Sequence, residues 1–294
     1  MVVLVTGSNG QLGQSLQYVA NKYPEIEFIF CSSAALDITS FSNCESIFTK
    51  YNPNYCINTA AYTAVDKAES DQEKAHLINV VGAKNLAEIC KKLNTTLIHI
   101  STDFVFDGTK TTPYLETDST NPRSVYGQTK LDGEKAIQET LDNYFIIRTS
   151  WVYSQFGNNF MKTMLRLACE RESLSVVNDQ IGTPTNAIDL AEVLIKIIKI
   201  QHPTPNTHYL YGIYNFSNEG KCSWYDFAKE IFRVNNIYIN LQPIPTSTYP
   251  TPAKRPTYSV LDKSKIKKAF SVDIKNWEES LKTIDFSVIT EKKQ

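Results

Sequence analysis

Met1-Val2-Val3-Leu4-Val5-Thr6-Gly7-Ser8-Asn9-Gly10-Gln11-Leu12-Gly13 opens the chain, and the reading of this stretch decides the fold. An apolar strand over residues 2–6 runs into three glycines spaced three apart, and a helical pattern begins among them. Glycines let the backbone approach a pyrophosphate, and the helix N-terminus offers free N–H groups and the positive end of its dipole. The expectation is a dinucleotide-binding loop formed by Gly7, Gly10, Gln11, Leu12 and Gly13.

Strand and helix alternate outward from this unit. Runs at residues 27–31, 55–59, 96–101 and 144–148 read as further strands, separated by helical patterns at 11–22, 41–50, 71–92 and 126–141. Such alternation predicts an α/β chain with a doubly wound parallel sheet covered on both faces, the Rossmann-like arrangement. Asp37-Ile38 and Ala60-Ala61-Tyr62-Thr63 follow the second and third strands, on the edge where parallel sheets bind cofactors. Asp37, Ile38, Ala60, Ala61 and Thr63 are therefore cofactor-contact candidates. After Trp151 the texture changes, with helical periods at 159–172, 188–200 and 223–234 divided by segments rich in Pro and Tyr. This predicts a cofactor-binding domain over 1–150 and a smaller C-terminal substrate-binding lobe over 151–294, interleaved with the last sheet elements. Residues 243–256 read as a Pro-rich loop of the sort that closes over ligands.

The 294 residues, 42% hydrophobic and 21% charged, can bury one large core and a smaller lobe. A net charge of -1 leaves no electrostatic footprint for nucleic acid, and the basic run 263–268 reads as a solvated helix face. The longest apolar runs are too short to span a membrane. Met1 to Val5 pass straight into Thr6-Gly7 without a basic region or cleavage site, which predicts a cytoplasmic protein. The six cysteines are scattered and lack a CxxC, as reduced core thiols would be. Four scattered histidines without an HxxxH predict no transition-metal site.

Tyr126 and Lys130 lie one helical turn apart, so their side chains share a face. They open the helical pattern that follows a buried strand ending in Ser101-Thr102 and a loop with Pro113 and Pro122. Free tyrosine titrates near ~10, and an ammonium within ~4–6 Å, together with an oxidised cofactor's charge, is expected to lower that by ~1–3 units. Tyr126 can then exchange a proton near neutral pH, Thr102 can hydrogen-bond the reacting oxygen, and Asp103 can orient Thr102 or a sugar hydroxyl. Such a site reduces ketones by hydride transfer from a nicotinamide. The second strand ends in Cys31-Ser32-Ser33, without the acid that grips the ribose of NAD. Two serines can accept an extra phosphate, so NADPH is the expected cofactor, with NADH also accepted.

The GxxGxxG spacing is similar to that of extended short-chain dehydrogenases. Gly10-Gln11-Leu12-Gly13, residues 60–66, Ser101-Thr102-Asp103-Phe104-Val105-Phe106-Asp107-Gly108, Tyr126-Gly127 with Lys130-Leu131 and Gly133-Glu134, and residues 148–153 resemble the dTDP-4-dehydrorhamnose reductase family. Asn158-Asn159-Phe160, residues 179–185 and Arg255-Pro256 with Ser259 and Leu261-Asp262 extend the likeness over nearly the whole chain. The resemblance implies reduction of the 4-keto group of dTDP-6-deoxy-L-lyxo-4-hexulose, a nucleotide sugar, to dTDP-L-rhamnose. It implies Tyr126 as proton donor, Lys130 as its partner and ribose ligand, Thr102 and Asp103 as substrate contacts, and Trp151 in the sugar pocket. An indole there can pack on the apolar face of a deoxysugar. Arg255 is the candidate for the substrate diphosphate, because a guanidinium forks onto phosphate oxygens.

Some members of that family carry a glutamate two residues after the last loop glycine that helps bind magnesium between subunits; this chain has Ser15. No metal is expected, and a homodimer is left open. A UDP-linked keto-deoxysugar is an alternative substrate. The related 4,6-dehydratases need an acid where this chain has Phe104, and epimerising reductases resemble one another in a Cys near the same strand end, absent here between Cys90 and Cys169. The segment 126–134 is also similar to the methionine adenosyltransferase beta subunit, a regulatory protein, whereas Trp151 and residues 179–185 favour a reductase.

Overall fold

The computed structural model describes residues 1–201 and 210–287. In its first half, β1 (Val2–Thr6), β2 (Glu27–Phe30), β3 (Tyr55–Asn58), β4 (Thr96–Thr102) and β5 (Tyr144–Thr149) alternate with α1 (Gln11–Ala20), α2 (Phe41–Tyr51), α3 (Val65–Ala68), α4 (Gln72–His76), α5 (Gly82–Leu93) and α6 (Val125–Thr140). The second half supplies β6 (Val152–Tyr153), α7 (Phe160–Glu170), β7 (Ser173–Val177), β8 (Ile181–Gly182), β9 (Thr185–Asn186) and α8 (Ala187–Gln201). It continues through β10 (Gly212–Asn215), β11 (Cys222–Ser223), α9 (Trp224–Val234), β12 (Asn240–Ile244), α10 (Ser264–Phe270) and α11 (Trp277–Leu281).

Six strands form one parallel sheet in the order β10-β5-β4-β3-β1-β2. Alternate residues of each strand feed opposite cores, because successive side chains point to opposite faces. Val3, Val5, Ile57, Ile98 and Ile147 pack with α1, α8 and α10, whereas Leu4, Cys56, Leu97 and Ile146 pack with α2, α5 and α6. The sheet is thus doubly wound as the alternation predicts, and β10 with α8 returns to it from beyond residue 150. A separate core is built from β7, α7, α9 and α11, with Met161, Phe227, Ile231 and Trp277 at its centre.

Three sequence expectations need correction. The helical stretch at 71–92 is interrupted by a π-helical turn at Leu77–Val81. There the buried Asn79 accepts from Tyr62 N at 2.9 Å and donates to Thr129 Oγ1 at 3.1 Å, and α6 crosses so closely that a Cβ on Gly133 would lie 2.2 Å from Asn79 O. Such bulges redirect a side chain out of the helical register. The Pro-rich segment begins inside β12, where Pro243 pairs with Val176 of β7; a two-stranded sheet has free edges, which tolerate a residue without an N–H. The basic run is not wholly solvated, since Lys263 is buried with its Nζ 3.4 Å from Glu219 Oε2. Among the described residues, no helix is long and apolar enough to cross a membrane. Five cysteines are buried free thiols, and Cys169 is exposed.

Candidate active site

Strand order reverses at β1, which lies between β2 and β3, so the loops leaving β1 and β3 diverge and open a crevice at the carboxyl edge. Gly7 sits there at φ +63°, and a Cβ on it would be 2.7 Å from Ala60 N. A Cβ on Gly13 would be 2.6 Å from both Gly7 O and Ser8 Cα. The missing side chains let the loop lie flat on the start of α1, closed by a 2.8 Å bond from Gly10 N to Gly7 O. Gly10 is the N-cap and offers no side-chain acceptor, so the first N–H groups of α1 face the crevice uncapped. The cradle fits a pyrophosphate.

The other cofactor candidates are engaged in different ways. Gln11 turns its amide away from the crevice, donating to Val152 O at 3.0 Å and accepting from Asn159 Nδ2 at 3.0 Å; it ties the loop to the second half of the chain. Leu12 is a core residue. Both can reach a phosphate through backbone N–H groups. Asp37 is exposed, but its carboxylate accepts from Thr39 N at 2.9 Å and Thr39 Oγ1 at 2.7 Å. Ile38 is buried, and its carbonyl accepts from Asn85 Nδ2 at 2.9 Å. Ala60 and Ala61 are half-buried on the crevice wall and Thr63 is exposed.

Ser124 caps α6, accepting from Gly127 N at 3.2 Å, so the helix begins beside β4 and carries Tyr126, Lys130 and Glu134 one turn apart. Glu134 is locked in a buried bidentate pair with Arg148 of β5, at 3.0 Å and 2.7 Å, and accepts a further bond from Ser101. That pair fixes the rotation of α6. Lys130 is 2% exposed; its Nζ donates to Ile100 O at 2.7 Å and lies 3.2 Å from His99 Nε2. Burial pushes its pKa down to about 8, against the pull of the Glu134 carboxylate.

Tyr126 is partly accessible, with its ring edge-on to Phe104 at 5.6 Å. The expectation of a lowered tyrosine counted an oxidised cofactor's charge, and in the protein alone the shift runs the other way. Burial pushes Tyr126 up to about 12, the Thr102 hydroxyl opposes that rise, and the Asp103 carboxylate adds to it. Thr102 is buried beside it, donating to Asp103 Oδ1 at 3.0 Å. Asp103 is itself buried, and its Oδ2 has no hydrogen-bond partner. Burial pushes this carboxyl up to about 6, opposed by the hydroxyls of Ser259 and Thr102.

The substrate candidates of the second half already hold partners. Arg255 forks onto Asp66, at 2.9 Å and 2.6 Å, and Ala253 N donates to the same carboxylate at 3.2 Å. Arg255 still lines a cavity of about 630 Å³ together with Phe160, Met164, Arg171, Trp224 and Tyr249. Trp151 stacks on Trp224 with centroids 3.6 Å apart, so that indole face is covered by a protein ring. A Cβ on Gly182 would be 2.5 Å from its Cε2, and its own φ of +47° is a left-handed strain that persists only where the surroundings enforce it.

The family described as RmlD substrate binding domain matches residues 1–287. A dTDP-4-dehydrorhamnose reductase of Aggregatibacter actinomycetemcomitans is 43% identical over 290 residues, covering 96% of this chain and 97% of that one. The chain belongs to the dTDP-4-dehydrorhamnose reductase family. A crystal structure of such a reductase from Clostridium acetobutylicum superposes with a TM-score of 0.89 at 43% identity, covering 96% of this chain and 97% of that one. Another from Bacillus anthracis, in complex with NADP, gives 0.90 at 40% identity, with 95% and 96% covered.

The reductase-family motif at residues 179–185 proves to be scaffolding as well as wall. Asp179 accepts from Thr246 N at 2.9 Å, Gln180 donates to Thr246 Oγ1 at 3.0 Å, and Ile181 N donates to Thr257 O at 2.8 Å, so the motif holds the 245–257 segment in place. Sequence reasoning missed Asn79 and Trp224, and gave Phe160 a place in a motif without a role. Trp224 starts α9 inside the capping box formed by Ser223 and Asp226, a signal that marks the helix but not what its first residue faces. Ser15 is buried, its hydroxyl bonded to Gln11 O at 2.9 Å.

Proposed function

We propose that this chain is an NADPH-dependent reductase that converts the 4-keto group of dTDP-6-deoxy-L-lyxo-4-hexulose into the alcohol of dTDP-L-rhamnose. The observation that carries this reading is the convergence of Thr102, Tyr126 and Lys130 beside the uncapped glycine loop, in a chain of the reductase family. Bound NADPH supplies the hydride. Tyr126, protonated across the neutral range by burial, gives its proton to the carbonyl oxygen, and the Thr102 hydroxyl, turned away from Asp103 Oδ1, donates to that oxygen. Lys130 holds a ribose hydroxyl and stands behind Tyr126 on the same helix face. Asp103 orients Thr102 or takes a sugar hydroxyl through its unpartnered Oδ2.

In this reading residues 1–150 are the cofactor-binding domain, and 151–294 contribute the substrate lobe while returning β10 and α8 to the sheet. Gly7, Gly10, Gly13 and the backbone of Gln11 and Leu12 receive the pyrophosphate, and Asp37, Ile38, Ala60, Ala61 and Thr63 flank the rest of the cofactor. Arg255 moves from Asp66 to the substrate diphosphate, and Trp151 presents its uncovered surface to the sugar. A buried set of free thiols suits the cytoplasm. Any homodimer is held without magnesium at Ser15, which is buried and bonded to its own helix.

The test is the loss of reduced-nicotinamide absorbance when the purified protein meets NADPH and the keto sugar, generated in situ by the preceding dehydratase and epimerase. Oxidation that requires both upstream enzymes and yields dTDP-L-rhamnose is expected. Cofactor binding without oxidation would refute the reading.

A further inference from the structure

On the face of the sheet that α6 covers, the apolar side chains Leu4, Cys56 and Leu97 give way two residues later to Thr6, Asn58 and His99. These three are register partners on β1, β3 and β4, and their exposures are 0%, 1% and 1%. Polar groups so deeply buried are costly unless each is paired, and here they bond sideways in a row. Thr6 Oγ1 donates to Asn58 Oδ1 at 2.6 Å, Asn58 Nδ2 meets His99 Nδ1 at 2.9 Å, and His99 Nε2 meets Lys130 Nζ at 3.2 Å.

The direction of the row follows from one donor that cannot be reversed. Ala60 N–H points at Asn58 Oδ1, 3.1 Å away, so that oxygen is the acceptor and Asn58 Nδ2 is a donor. His99 Nδ1 must then accept. Burial holds the imidazole pKa well below its ordinary value, and an accepting Nδ1 leaves the neutral ring its single proton on Nε2, facing Nζ. A bond between Nε2–H and Nζ requires a lone pair on the lysine nitrogen. The neutral amine has one and can still donate to Ile100 O; an ammonium would set two donors against each other.

We propose that His99 is a positioning residue: with its tautomer fixed by Asn58, it favours the neutral amine of Lys130 over the ammonium. The Glu134 carboxylate, one turn on along α6 and bound to Arg148 of β5, acts on Lys130, and one turn earlier Tyr126 is faced by Asp103 after β4. The charged side chains of α3, α4 and α5 are exposed or half-exposed. Lys130 is thereby kept able to lose and regain a proton near neutrality behind Tyr126. That consequence for turnover rests on the reductase reading, whereas the effect on Lys130 does not.

The test follows the Cε resonances of isotope-labelled lysine in the full-length, ligand-free protein as pH is varied, with the Lys130 signal assigned by its loss in Lys130→Met. His99→Gln offers a carbonyl oxygen to the ammonium, and the Lys130 midpoint is expected to rise by about one unit, a tenfold shift toward the charged form. Asn58→Leu removes the donor to His99 Nδ1 without adding a charge, frees the tautomer so that Nε2 can accept from the ammonium, and is expected to raise the midpoint as well; it serves if His99→Gln fails to fold. Thr6→Val removes a donor to Asn58 without freeing the amide to turn, and should leave the midpoint in place. A midpoint that stays within about 0.3 units or falls in His99→Gln and Asn58→Leu would overturn the proposal. The basic limb of kcat should follow the same shift. A moved midpoint with an unmoved limb would leave His99 in its place and count against Lys130 in the reductase reading.

Discussion

The two walls of the crevice are built differently. The wall at β1, β3, β4 and α6 is made of backbone and buried side chains whose partners lie within the same sheet and helix: the glycine cradle, Lys130 on Ile100 O, Glu134 on Arg148. The wall from the second half is made of side chains held across long sequence gaps, Arg255 by Asp66 of α3 and Trp151 by Trp224. The first wall is ready before any ligand arrives. Under the proposed function, a ligand at the second would exchange protein contacts for its own, at a cost in net affinity.

The largest effect that would break this contrast is on stability. Arg148→Met leaves Glu134 charged and unpaired in the core, and a loss of about 3–5 kcal/mol is expected in urea unfolding. A loss below ~1 kcal/mol would mean that the pair does not set α6. Next comes Tyr126→Phe, for which turnover should fall on the order of 100-fold or more while cofactor affinity stays near normal. If affinity fell equally, Tyr126 would belong to the cradle and not to the chemistry.

Asp103→Asn tests the first wall through pH. Because the folded carboxyl titrates near about 6, above its ordinary range, the wild-type fold is favoured at low pH and loses that stability as pH rises through about 6. The amide cannot titrate, so the variant should gain on wild type between about pH 4 and 7, by roughly 2–3 kcal/mol in denaturant titrations. A pH-independent difference would place Asp103 at an ordinary pKa. The smallest effect sharpens the second wall. Arg255→Met should raise the KM for the nucleotide sugar about tenfold, the scale of one lost charge-assisted bond, with the dissociation constant for NADPH unchanged. An unchanged KM would leave Arg255 as a latch on Asp66 alone.

The sequence by itself determined the parallel sheet, the glycine loop and the Tyr126–Lys130 face. Each of these is a local pattern: strand and helix periods, glycines at fixed spacing, and one helical turn between two side chains. Charge state was not legible, because desolvation depends on everything packed around a group; hence Tyr126 is pushed up to about 12 where neighbour charges alone suggested the opposite. Nor were the partners of Gln11, Asp66 and Trp151, which lie across 141, 189 and 73 positions respectively (224 − 151 for the last). No periodicity reaches that far. Only the tertiary structure decides which distant loops meet, because closing such long gaps costs chain entropy that contacts elsewhere in the fold must offset. The same holds for the row Thr6, Asn58, His99 and Lys130, in which four residues ordinary in their own segments become a connected network through strand register and the seating of α6.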